Sequence, residues 1–131
     1  MSSHHIIRED QEPALIVDDI GAVPAAYLGQ LLEWSPTVLA SDTSLKPLRE
    51  SGIKVDVWFT GNEAAELPQD HVSVKPMGEA SFVETALNDL VERGHKAATI
   101  ISNDASIRTI LPKYADRINP VLLGNGQRIS V

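Results

Sequence analysis

Short apolar runs that alternate with segments of helical period leave this chain few ways to fold. ALIVDD (14–19) reads as a buried strand. VPAAYLGQLLEW follows, with Ala25, Leu28, Leu31 and Leu32 marking one helical face and Pro24 near the first turn. TVLASD (37–42) is a second strand, SLKPLRES a short helical turn ended by Gly52, KVDVWFTG (54–61) a third strand, and DHVSVKP a fourth. EASFVETALNDLVERG is the clearest helix, with Phe82, Val83, Ala86, Leu87, Leu90 and Val91 on one face and Gly94 as its stop. AATIIS is a fifth strand, and ASIRTILPKYAD a further helix broken or kinked at Pro112. The closing RINPVLLGNGQRISV is two β segments around Asn125-Gly126, the dipeptide that best suits a tight hairpin.

Such alternation implies an α/β fold: a three-layer, mostly parallel sheet flanked by helices on both faces and ending in a β-hairpin. No repeat, low-complexity tract or linker interrupts it, so residues 1–131 are expected to form one domain. A chain of this length buries about two-thirds of the surface its unfolded form exposes, and needs no staple. It has no cysteine, which removes thiol nucleophiles, Cys-ligated zinc and disulfides together and suits a reducing cytoplasm. No apolar run approaches the ~20 residues that cross a bilayer, so no membrane partner is expected. The net charge is −7, from 11 basic against 18 acidic residues, and the lysines and arginines are scattered. That balance repels phosphate backbones and excludes nucleic acid as a partner.

The adjacent carboxylates Asp18 and Asp19, at the end of the first strand, raise the question of magnesium. Response-regulator receiver domains carry such a pair and place a phosphoacceptor Asp after the third strand. Here that strand ends Thr60-Gly61-Asn62-Glu63, with no aspartate. About ten residues separate VDVWF from HVSV, too few for the helical crossover of a receiver. The pair is expected to be solvated or to sit before a helix, and not to hold a metal. His4, His5, His71 and His95 lack ligand spacing. Trp34, Trp58 and Phe82 are expected to pack in the core or an interface.

Taken whole, the chain resembles the catalytic α/β domain of thiamin pyrophosphokinase, which moves a diphosphate from ATP to thiamin. LASDTSLKPL stands where the family has an Asp-Gly-Gly-Ala-like turn, SGIKVDVWFTGNEAAEL where it has G-I-x-P-D leading into Gly-Asp-Phe-Asp-Ser, and EASFVETAL at D-x-T-D-x-E-x-A-L. AATIISNDASIRTIL and NPVLLGNGQRISV follow the closing helix and hairpin, and MSSHHIIREDQEPALIV resembles the start of some members. The resemblance implies a ligand site of Asp42, Thr43, Ser44, Gly61, Asn62, Glu79, Ser81, Asn103 and Arg108. It implies relic catalytic acids Asp42, Asp56 and Glu63, and a weak metal set Asp42, Glu63 and Glu79.

The departures are as informative. The glycines of the second-strand turn are Thr43 and Ser44, which add side chains where backbone would approach phosphate. Gly-Asp-Phe-Asp becomes Thr60-Gly61-Asn62-Glu63, and D-x-T-D becomes Glu79-Ala80-Ser81-Phe82. Ile107, Arg108, Thr109 and Ile110 occupy the Arg-x-Asp-His place. Diphosphoryl transfer depends on positioning and on Mg²⁺ held octahedrally at ~2.0–2.1 Å, so a Glu for an Asp is not neutral. Losing one electrostatic stabiliser typically costs ~10²–10³ in rate. The family's C-terminal β-rich thiamin-binding domain is also expected to be absent.

The expectation is therefore a non-catalytic domain without a resident cofactor, binding a small anionic or nucleotide ligand or another protein, and forming a homodimer through the edge exposed by GQRISV. The alternative is a divergent ATP:thiamin diphosphotransferase that uses Mg²⁺ and ATP through Asp42, Asp56, Glu63 and Glu79.

Overall fold

The computed structural model describes residues 13–34, 36–61, 72–78 and 80–130. Among these residues seven strands form one sheet: β1 (Ala14–Val17), β2 (Val38–Ala40), β3 (Val57–Thr60), β4 (Ser73–Pro76), β5 (Ala97–Ile101), β6 (Asn119–Gly124) and β7 (Gln127–Ser130). Their order is β4-β3-β2-β1-β5-β6-β7, and every neighbouring pair is parallel except the antiparallel hairpin β6-β7. The helices are α1 (Ala25–Leu32), α2 (Leu45–Glu50), α3 (Phe82–Glu92) and α4 (Leu111–Tyr114). The α/β class, the mostly parallel sheet and the terminal hairpin agree with the sequence reading. None of the described helices is long and apolar enough to cross a membrane.

Alternation along each strand divides the core between the two faces of the sheet. Ala14, Ile16, Leu39, Val57, Phe59, Ala98, Ile100 and Leu122 meet α3 and α4, while Leu15, Val17, Val38, Ala40 and Ile101 meet Leu28 of α1 and Leu48 of α2. In α3, Phe82, Val83, Ala86, Leu87 and Leu90 are all buried, and each large apolar side chain so placed contributes ~1.5–3 kcal/mol. Ser81 caps the helix by accepting from the Glu84 amide at 3.3 Å. At the other end Gly94 adopts φ +83°, its amide donating to Val91 O and that of His95 to Leu90 O, which closes the last turn. The Phe82 ring meets that of Phe59 tilted at 57°, centroids 6.2 Å apart, inside this core.

β3 and β4 are parallel neighbours, and residues 61–72, a dozen, lie between them because both strands are shorter than their apolar runs suggest. Two readings, of the last helix and of where the third strand begins, need correction. The last helix is two pieces, a 3-10 turn over Ala105–Thr109 and α4, in whose first turn Pro112 stands with no amide to lose. The third strand begins only at Val57, so Lys54 to Asp56 precede it. Trp58 and Phe82 are buried in the core, whereas Trp34, expected in the core or an interface, is 60% exposed and so lies outside the core. The hairpin turn forms as read, with Asn125 at φ 52° and Gly126 at φ 70°, the two positive values of a type I′ turn.

Candidate functional site at the carboxyl ends of the strands

Chain direction in the sheet reverses its lateral progress between β1 and β5: the strands following β1 lie to one side of it, and β5 starts the other side. At such a switch point α/β sheets commonly carry the crevice where they bind ligands, and here side-chain bonds cross between the loops that leave the two strands. Asp18 and Asp19 leave β1 with their amides still bonded to Ile101 O, at 2.9 and 3.0 Å. Asp18 accepts from Ser102 Oγ at 2.7 Å, and Ser102 Oγ in turn accepts the Asp104 amide at 3.0 Å. Asp19 accepts the Gly21 amide at 2.9 Å, capping the 3-10 turn Ile20–Ala22, and lies 3.5 Å from Asn103 Nδ2. The pair thus sits before a helical turn, as the sequence suggested. Among the described residues no group of three or more acids or histidines is placed to hold a metal ion.

Asn103 ties this crevice to the hairpin. Its Oδ1 accepts the Asn125 amide at 2.8 Å, and its carbonyl accepts from Asn125 Nδ2 at 3.1 Å. The approach is so close that a Cβ on Gly124 would fall 1.8 Å from Ser102 O, and only glycine fits there. Asp104 accepts from both the amide and hydroxyl of Ser106, at 3.0 and 2.7 Å; these bonds hold its carboxyl below the ordinary range.

A second cluster lies at the end of β2. Ser41 and Ser44 bond reciprocally, each amide donating to the other's hydroxyl at 2.8 and 3.2 Å, and Thr43 Oγ1 lies 2.9 Å from Ser41 Oγ. Asp42 Oδ1 accepts from Trp58 Nε1 at 2.9 Å and Oδ2 from the Gly61 amide at 3.1 Å. Desolvation pushes this carboxyl up, but hydrogen bonds from Thr60, Gly61 and Trp58 outweigh it and leave Asp42 below its ordinary value.

The structure therefore brings Asp42, Thr43, Ser44 and Gly61 together, and places Asn103 by the crevice between β1 and β5. Asp56 stands apart: it precedes β3, at the opposite end of the strand from Gly61, where its carboxylate accepts the Val38 amide at 2.8 Å. It cannot join Asp42 on one metal, because the length of a strand separates them. Ser81 is engaged as the α3 cap, and Arg108 is exposed on the 3-10 turn after β5. Asn62, Glu63 and Glu79 lie outside the described residues.

One feature of this end of the sheet escaped the sequence reading. A cavity of about 290 Å³ lies between α1 and the hairpin, lined by Val23, Pro24 and Tyr27 on one side and Gly124, Gly126 and Arg128 on the other. Pro24 begins α1 without a side-chain cap, and no acidic residue stands in its first turn, so the positive end of the helix is left to solvent or ligand. Tyr27 is 38% exposed, and Arg128 faces the α1 side because it pairs with Leu123, which lies level with Ile101 and Val17. Residues from opposite ends of the chain meet here; the only local signal was an apolar helix lacking charge from Ile20 to Leu32. Neither a family model nor a curated protein nor a solved structure matches this chain.

Proposed function

We propose that the chain is a non-catalytic relative of the thiamin pyrophosphokinase catalytic domain that binds a small nucleotide-like anion and associates with a second copy of itself. The observation that carries the ligand reading is one cavity lined by Pro24 and Tyr27 at the start of α1, which has no side-chain cap, and by Arg128 of the hairpin. Helix amides and a guanidinium attract phosphate, and an exposed ring offers a stacking face to a base. At about 290 Å³ the cavity is at the small end of ligand sites, which run ~300–1,000 Å³. It suits one phosphorylated fragment and not ATP with thiamin beside it. The placement of Asp42 and Asp56 at opposite strand ends weighs the same way, since Mg²⁺ chemistry needs hard oxygens that converge.

Isothermal titration calorimetry with adenosine monophosphate and with a non-hydrolysable ATP analogue tests this reading. Saturable binding is expected, unchanged when Mg²⁺ is chelated. It should weaken about tenfold or more in Arg128→Gln, since a hydrogen bond to a charged group is worth ~1.5–3 kcal/mol. Absence of binding by either nucleotide would remove the ligand reading, and formation of thiamin diphosphate from ATP, Mg²⁺ and thiamin would replace it with the enzymatic one.

A further inference from the structure

The two edges of the sheet differ. β4 ends in Pro76, which has no amide to donate, and its Lys75 pairs with Asp89 on α3, so that edge carries both a proline and a charge. β7 has a neighbour on one side only among the described residues; it contains no proline, and its one charge is Arg128. Its backbone phase follows from β6. Leu123 O accepts from Ser102 N at 3.0 Å, which directs that residue's groups toward β5. Leu123 and its partner Arg128 are therefore a non-hydrogen-bonded pair of the hairpin, and the amide and carbonyl groups of Arg128 and Ser130 point outward from the sheet.

We infer that two copies of this chain join their sheets by antiparallel pairing of β7 with the partner's β7, about a two-fold axis at Ile129. The inference takes the self-association proposed above and assigns it a surface. An identical edge is the natural complement of an edge, and two-fold pairing closes the assembly because β4 cannot extend it. The register follows from charge and phase. Centring on Arg128 sets two guanidinium groups directly opposite each other, which is unfavourable. Centring on Ile129 sets Arg128 against the partner's Ser130, and each such pair exchanges two backbone hydrogen bonds. Ile129 pairs with Leu122 and so faces the α3 side, where it and Ile110 are half-buried at the margin of the core. The pairing brings Ile129 against the partner's Ile129 and completes that cover. Four residues make a small contact, so the dimer dissociates on dilution.

The chain has no cysteine, so a single introduced thiol reports the geometry without ambiguity. In the proposed register the Cα atoms at position 129 lie ~4.5 Å apart, inside the ~4.4–6.8 Å range of disulfides. Ile129→Cys is expected to form a disulfide-linked dimer under mild oxidation, and Ser73→Cys on β4 is not. Ser130→Pro removes only an outward amide, so it should keep the far-ultraviolet circular dichroism and, in dilute monomeric solution, the thermal midpoint, while at higher concentration the mass by light scattering falls from two chains to one. A wild-type chain that is monomeric at every accessible concentration would overturn both the self-association and its surface. A wild-type dimer that survives Ser130→Pro, with no crosslink at position 129, would overturn the surface alone.

Discussion

Both oxygens of Asp42 accept internal hydrogen bonds, one from the Trp58 ring and one from the Gly61 amide. A residue of a kind that commonly binds Mg²⁺ is thus a brace between the ends of β2 and β3, and a buried indole depends on it. Asp42→Asn keeps one acceptor oxygen but turns an amide donor toward the other partner, which is expected to cost on the order of 1 kcal/mol. The pH dependence has a definite sign. Because the folded carboxyl binds its proton less readily than the ordinary value of 3.8, its stabilisation is complete above that value and lost as pH falls through the lowered one. Thermal melts should show the gap between wild type and Asp42→Asn full at neutral pH and closing below pH of roughly 4. Asp56 makes the complementary point: its carboxylate is engaged at the amino end of β3, and the aspartate in KVDVWF says nothing of which end it occupies until the strand's start is fixed.

Among the elements, α3 and α1 are both apolar in sequence yet differ in what they cover. α3 buries five residues against the sheet, whereas α1 buries only Leu28 and leaves Tyr27 exposed. The first is held by its core face; the second offers a surface beside the hairpin. Leu87 is fully buried in the α3 layer, so Leu87→Ala should lower unfolding free energy by ~2–5 kcal/mol in denaturant titration. The Asn125-Gly126 turn was legible because positive φ at both positions is a local demand that these residues meet cheaply. The division of the last helix was only half legible. Pro112 marks a discontinuity, but whether a proline ends one helix or starts another depends on where the preceding carbonyls are satisfied.

For the molecule as a whole, strand order sets both stability and site. β1 and β5 have neighbours on each side, and β4 and β7 lie at the edges. In dilute, monomeric protein, amide hydrogen exchange should therefore be slowest in β1 and β5 and fastest in β4 and β7, since core strands open only with global unfolding. Period, apolar runs and turn residues sufficed for the sequence to determine the α/β class, the succession of strand and helix segments apart from the division of the last helix, and the hairpin, because each is a local preference of a few neighbouring residues. Tertiary structure alone decided the strand order, the separation of Asp42 from Asp56, and the meeting of Tyr27 with Arg128. The reason is one of range: Asp18 and Ser102 bond across 84 positions of chain, and no local pattern encodes which distant loops a packed sheet brings to the same end.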